Sequence, residues 1–210
     1  SEMCIRDRYD IFQINKTKMK KIGKTILTVK ADVSKESDVK HFVNTVLDKF
    51  GTIDILINSA GENHRKPLSE STLDEFDSVM NLNVRAPFLL CKEFSKDMVE
   101  KKWGRIVNIA SSSAHNGFKN AAIYCSSKHA LLGLSRTLYA ELKESDVRTF
   151  CVSPGSMKTR MAKEDEGLLA EHDYNTFLEP SDVAEFVTKL ISYDNEMISQ
   201  EVSLNRLNIN

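Results

Sequence analysis

The chain has 210 residues and a mass of 23.8 kDa, enough for one domain with a sizeable core and cramped for two. Its 29 Lys and Arg nearly cancel 30 Asp and Glu, leaving a net charge of −1, which excludes the gross basic excess of a nonspecific nucleic-acid binder. No apolar run approaches the ~18 residues of a membrane-spanning helix, and SEMCIRDRYD lacks the apolar centre of a secretory signal, so a soluble protein is expected.

The cysteines Cys4, Cys91, Cys125 and Cys151 form no CxxC, and no pair of histidines lies at zinc-ligand spacing. Reduced thiols, no metal and a cytoplasmic setting are expected. No two of the eight glycines are separated by a single residue, so neither GxGxxG nor GxxxxGK[ST] occurs in this sequence.

From residue 25 two periods alternate. Thr25–Val29 (TILTV) reads as a strand that ends at Ala31-Asp32. Val39, Phe42, Val43, Val46, Leu47 and Phe50 recur at helical spacing, and Gly51 stops that helix. Ile53–Ile57 is a nearly continuous apolar run, as in a strand covered on both faces. Ser71 and Thr72, with Asp74 and Glu75 three residues beyond each, are overlapping capping boxes that open a helical stretch toward Lys102. Arg105–Ile109 is the next strand, Ala121–Leu142 a helix and Val147–Val152 another strand. Pro154-Gly155 breaks the chain, and residues 160–178 show no clean period. Pro180 starts a helix through Ile191, and Glu201–Leu207 reads as a closing strand. Strands alternating with helices predict one α/β domain: a parallel sheet with helices on both faces.

Tyr124 and Lys128 stand four apart in a helical stretch and share a face. A nearby ammonium favours phenolate, so the spacing predicts a lowered tyrosine pKa and a usable proton donor and acceptor. Tyr139 and Lys143 repeat the spacing, and each tyrosine has a serine thirteen positions upstream, Ser111 and Ser126. Context favours the first set. Ser111 follows the apolar strand Ile106–Ile109 at its carboxyl end, where open α/β sheets place ligands, whereas Ser126 lies inside a helix. Asn58-Ser59-Ala60-Gly61 follows the Ile53–Ile57 strand and reads as a tight turn or a close approach to a ligand. Asn83 sits in a helical segment where asparagine has poor propensity, with Asn81 the exposed counterpart; either one at a helix irregularity would be functional. Pro154-Gly155, with Thr159 nearby, again falls at a strand's carboxyl end.

Taken in order, Asp32-Val33, NSAG at 58–61, Asn83, IVNIASS with Ser111, Tyr124-xxx-Lys128 and Pro154-Gly155-xxx-Thr159 resemble the short-chain dehydrogenase/reductases, including their 3-oxoacyl-acyl-carrier-protein reductase-like members. The resemblance runs from about residue 25 to the last strand. It implies a Rossmann-like doubly wound parallel sheet that interconverts a carbonyl and a secondary alcohol by hydride transfer with NAD or NADP. Tyr124 would be the acid/base. Lys128 would lower its pKa and bond the nicotinamide ribose, Ser111 would hold the substrate oxygen, and Asn83 would support a water leading to Lys128. Asp32 and Val33 would meet the adenine, Asn58, Ala60 and Gly61 would lie along the cofactor, and Pro154, Gly155 and Thr159 would meet its nicotinamide end. The partners implied are a small carbonyl or alcohol and copies of the same chain in a homodimer or homotetramer. Apolar positions Leu89, Leu90, Phe94 and Met98, with Leu131, Leu134 and Leu138, exceed what one sheet-facing side needs and are the expected pairing surface.

The family pattern begins with a strand, a TGxxxGxG loop and a helix, and none of these stands in this sequence. The expectation is therefore an N-terminally truncated sheet. Residues 1–24 would be an atypical remnant, with Asp10–Asn15 a vestige of the second strand, and 25–210 a single oxidoreductase domain. The family's order places its first strand beside the one ending at NSAG, so that edge would carry unpaired backbone and exposed apolar groups. The alternative is a catalytically silent family member that acts only by binding a partner. The intact Asn83, Ser111, Tyr124 and Lys128 set favours the oxidoreductase.

Overall fold

Parallel strands need crossover connections, usually helices, and a sheet built from them takes apolar cover on both faces. In the computed structural model of the chain, which describes residues 26–195 and 199–207, all four strands pair in parallel and the two central ones are covered on both faces. The remnant expected at 1–24, with Asp10–Asn15, lies outside the described residues.

In chain order the elements are α1 (Glu36–Phe50), β1 (Ile55–Asn58), α2 (Leu73–Met80), a π-helical turn (Asn81–Arg85), α3 (Ala86–Lys101), β2 (Gly104–Ile109), α4 (Ala122–Leu142), β3 (Val147–Pro154), the short helices α5 (Arg160–Lys163) and α6 (Glu166–Glu171), α7 (Pro180–Ser192) and β4 (Glu201–Leu204). The strands form one parallel sheet in the order β1-β2-β3-β4, with Ile57 opposite Val107 and Val107 opposite Phe150. On one face Leu56, Ile106 and Val147 pack with Val39 and Val43 of α1 and with Leu90, Phe94 and Met98 of α3. On the other, Val107, Phe150 and Val152 meet Val187 and Leu190 of α7. Leu131 and Leu132 of α4 close over Cys151.

Of the two capping boxes, Thr72 makes the real one: its hydroxyl accepts from the Glu75 N–H while the Glu75 carboxylate accepts from the Thr72 N–H. That bond and Lys66 hold Glu75 down to about 2.

Four expectations are corrected. Residues 26–30 carry no strand, because none of the described strands lies alongside to complete a ladder. The strand at 53–57 is β1, shifted to Ile55–Asn58, and it is covered on one face only. Leu56 is buried, but Ile55 and Ile57 stay 42% and 43% exposed because α7 reaches only as far as β2 and β3 on that side. The apolar surplus on α3 and α4 is core: Leu90, Phe94, Met98 and Leu131 are buried, and Leu89, Leu134 and Leu138 pack against them. Finally, the segment without a clean period contains two short helices, each started by a side chain: Thr159 accepts from Ala162 N–H, and Asp165 from Leu168 N–H.

Candidate active site

The carboxyl end of β2 carries the site. Ser111 stands two residues past Ile109 in extended backbone, and its hydroxyl accepts from the Ser113 N–H at 3.1 Å, starting a single 3-10 turn. Tyr124 enters from the first turn of α4, and its phenol is close enough to Ser111 for that hydroxyl to offset part of the effect of burial on it. One turn on, Lys128 is 5% exposed, and its Nζ donates to the Ile109 carbonyl at 3.1 Å. One strand end thus supplies both the serine and the carbonyl that anchors the lysine.

The electrostatics differ from those the spacing predicts. Burial raises the Tyr124 pKa above its ordinary value, with the Ser111 hydrogen bond pulling the other way and the charge of Asp165 adding to the rise. The Lys128 ammonium donates to the Ile109 carbonyl and lies 5.7 Å from the centre of the tyrosine ring. Burial pushes Lys128 down to about 8.

Asn83 lies in the π turn, fully buried. The turn has an identifiable cause. Pro87 has no N–H for the α-helical bond to the Asn83 carbonyl, and the chain widens, with Ala86 N–H reaching back to Asn81. The Asn83 side chain accepts from Glu62 N–H at 2.9 Å and donates to Glu62 carbonyl at 2.9 Å and to Ser127 Oγ at 3.0 Å. Ser127 in turn donates to the Tyr124 carbonyl at 2.8 Å. Asn81, in the same turn, is half-buried and accepts from Arg85. Ser127 was not singled out from the sequence, although its position three after Tyr124 puts it on the same helix face.

The expected cofactor contacts fall into two groups. Val33, Asn58, Ala60 and Thr159 line a groove of about 300 Å³. Asn58 donates to Asn108 Oδ1 at 2.8 Å and to the Cys91 sulfur, while its own Oδ1 is buried without a partner. Asn108 continues the chain of bonds to Ser135, a buried polar row that the apolar reading of RIVNI missed. Asp32, Gly61, Pro154 and Gly155 do not line that groove. Asp32 accepts from the hydroxyl and N–H of Ser34 and lies 3.6 Å from Lys35, and the Ser34 bonds lower its pKa. Pro154 and Gly155 pair with Leu204. Gly61 lies against the site itself: a Cβ there would sit 3.1 Å from Asn83 Oδ1 and 3.6 Å from Lys128 Nζ. The rival pair is a surface feature, with Ser126 exposed and Lys143 6.0 Å from the Tyr139 ring. Cys91, Cys125 and Cys151 are buried and free. Among the described residues no group of three His, Cys, Asp or Glu could hold a metal, and no helix is long and apolar enough to cross a membrane.

A parallel sheet with Ser111, Tyr124 and Lys128 gathered at a strand's carboxyl end defines a Rossmann-like α/β protein. The chain belongs to the short-chain dehydrogenase family, whose profile, described as short chain dehydrogenase, matches residues 6–167. The match starts nineteen residues before the point where the motifs alone carry the resemblance. The chain is 38% identical over 133 residues to (+)-borneol dehydrogenase 2 of Salvia officinalis, a match that takes in 62% of this chain and 47% of that protein. It thus spans about half the length of that curated relative. Among solved structures it is similar to ElxO with NADP bound, with a TM-score of 0.81 at 27% identity over 96% of this chain and 86% of the other. It is also similar to 4-hydroxyisoleucine dehydrogenase complexed with NADH, with a TM-score of 0.75 at 29% identity over 85% and 78%.

Proposed function

We propose that the protein is an NAD- or NADP-dependent oxidoreductase that interconverts a carbonyl and a secondary alcohol, with Tyr124 as its acid/base. The observation that carries the reading is the convergence of Ser111, Tyr124 and the buried Lys128 at one strand end, within a family of dehydrogenases and reductases. The groove fits part of the dinucleotide. Val33, Ala60 and Thr159 offer apolar and small walls, and Asn58 stands among them with its Oδ1 buried and without a partner.

In the reduction direction Ser111 donates a hydrogen bond to the substrate carbonyl oxygen, and Tyr124 delivers the proton as that oxygen becomes an alkoxide. When bound, the nicotinamide supplies the hydride. Because burial keeps Tyr124 protonated at neutral pH, the phenol is charged with the proton that reduction needs. Lys128 can hold positive charge next to a developing phenolate, and its lowered pKa lets it lose a proton when that charge is not required. Asn83 fixes Ser127 and the loop at Glu62, holding α4 in the orientation that presents Tyr124. Asp32, Gly61, Pro154 and Gly155 stay part of the proposed cofactor path outside that groove, Asp32 toward the adenine, Gly61 along the cofactor and Pro154-Gly155 at its nicotinamide end. A homodimer or homotetramer belongs to the same reading and rests on the family resemblance, since the α3 and α4 leucines are in the core.

The test is turnover of ketone and secondary-alcohol panels with NADH, NADPH and their oxidised forms, in the unmodified protein, Tyr124→Phe and Tyr139→Phe. Tyr124→Phe keeps the ring and removes the proton, so kcat is expected to fall about a hundredfold or more. Tyr139→Phe is expected to leave it unchanged. Equal loss in both, with folding intact, overturns the assignment.

A further inference from the structure

Ser111 lies between two fastenings to neighbouring residues of β3. On one side Ala110 N–H donates to the Val152 carbonyl at 2.7 Å. On the other the His115 imidazole turns back to the strand, with Nε2 3.1 Å from Ser153 Oγ. Between them runs the 3-10 turn Ser112–Ala114. Ala114 N–H closes it on the Ser111 carbonyl at 2.8 Å, and His115 N–H donates to the Ser112 carbonyl at 3.1 Å.

That turn aims the Ser111 hydroxyl. The oxygen accepts from Ser113 N–H, which leaves the hydroxyl proton to be donated toward a ligand. A single 3-10 turn has poorer hydrogen-bond geometry than an α-helix and holds its shape weakly alone. Ala114 packs it against Leu131, Leu132 and Cys151, but apolar contact is non-directional and resists lifting more than sliding. The bond from His115 to Ser153 supplies the direction. Ser153 is 1% exposed, and a buried hydroxyl is costly to leave unpaired, whereas the His115 residue stands at the surface. A surface imidazole is thus pinned by a hydroxyl inside the sheet. The pinned point is itself firm: Ser153 pairs with Ser203 of β4, and two residues on Gly155 N–H donates to the Leu204 carbonyl at 2.8 Å.

We propose that His115 is a positioning residue: through Ser153 it fixes the turn that aims the Ser111 hydroxyl. The proposal rests on the oxidoreductase reading of the site. Ser153 is followed directly by Pro154-Gly155, the nicotinamide end of the proposed cofactor path. One side-chain bond therefore ties the residue that would hold the substrate oxygen to the strand end that would hold the hydride donor, and sets the spacing between them. His115 itself touches neither.

The test is amide hydrogen exchange of the turn and, separately, steady-state turnover, in the unmodified chain, His115→Leu, His115→Gln, Ser153→Ala and the double variant of His115→Leu with Ser153→Ala. Leucine removes the bond, and glutamine can keep it through its side-chain amide. In His115→Leu and Ser153→Ala the Ser113 and Ala114 amides are expected to exchange about fivefold faster, the equivalent of one ordinary hydrogen bond, with Ile106–Ile109 unchanged. The kcat is expected to fall about tenfold with the cofactor KM unchanged, because a misplaced Ser111 weakens a bond that counts most in the transition state. His115→Gln is expected to recover most of both losses, and the double variant to be no worse than either single one. Unchanged turn exchange in His115→Leu overturns the proposal. So does an unchanged kcat in an active protein, a loss that glutamine does not recover, or losses that add in the double variant. Should Ser153→Ala fail to fold, the surface variants His115→Leu and His115→Gln decide alone. Faster exchange that glutamine reverses, in a protein that transfers no hydride, refutes the oxidoreductase reading and keeps the brace. Turnover that falls in Tyr124→Phe but not in His115→Leu does the reverse.

Discussion

Replacing Lys128 with methionine should make the protein more stable at neutral pH. Lys128 is buried, and its pKa falls from 10.5 to about 8 because the interior disfavours the ammonium. That difference of roughly 2.5 units corresponds to about 3 kcal/mol charged against the folded state. Below pH 8 the lysine is protonated in both states and the whole cost stands. Between 8 and 10.5 the folded chain has released a proton that the unfolded chain still binds, so stability rises with pH. Above 10.5 both are neutral and the cost is gone. Methionine has a similar length and removes the cost, but it forfeits the bond to the Ile109 carbonyl, about 1 kcal/mol. Lys128→Met should therefore gain about 2 kcal/mol at pH 7 and lose about 1 kcal/mol at pH 11. Urea unfolding at both pH values reads this directly: with a slope of about 2 kcal/mol per molar, the midpoint should move up about 1 M at pH 7. Comparing variant with parent at each pH cancels the other titrating groups. A variant less stable than its parent at pH 7 would refute the reasoning, since burial of the charge would then not be the governing effect.

Gly61→Ala should lower stability by about 1–2 kcal/mol in thermal unfolding, because Asn83 cannot retreat from the new Cβ without lengthening one of its three bonds. Arg105 is fully buried at the amino end of β2, bonded to Gly104 and Asp146 carbonyls and to Asp194, and stacked 4.3 Å from Trp103. Arg105→Met keeps the stem but strands those carbonyls, so urea unfolding should show a loss of about 2 kcal/mol.

What was legible in the sequence followed from period and residue chemistry. The alternation of β-branched runs with helical spacing gave β2, β3, α1, α4 and α7 within a few residues, because each is covered by apolar neighbours from within the chain. The strand expected at 25–29 is absent from its described part, 26–29, for a reason that no local pattern contains: a strand exists only with a partner, and none lies alongside among the described residues. Ile55 and Ile57 look like core in the sequence and are exposed for the same reason. At the site, Ser111 and Tyr124 were readable from a strand end and a helix start. The direction of the Tyr124 shift was not, because i,i+4 spacing says that two side chains share a face but not how deeply the phenol is buried. Pro87 was the readable sign of the π turn at Asn83, four residues before it, and it went unused.

The two ends of β2 are built on opposite principles, and the contrast explains how the site can hold an uncomfortable charge. At the amino end Arg105 is buried but gripped by two carbonyls, a carboxylate and an indole face. At the carboxyl end the buried Lys128 donates to the Ile109 carbonyl, and burial lowers its pKa. Such a group persists only where its surroundings are fixed by other interactions. Here they are: Ile106, Val107 and Val152 are completely buried, α4 is clamped by Leu131 and Leu132, and Asn83 ties Ser127 to the loop at Glu62. None of these restraints comes from β1, the edge strand of the sheet among the described residues. The placement of Tyr124 and Lys128 is therefore set by β2, β3 and α4, while the groove along β1, with Ile57 exposed beside Asn58, is the part whose shape depends on what lies against that edge.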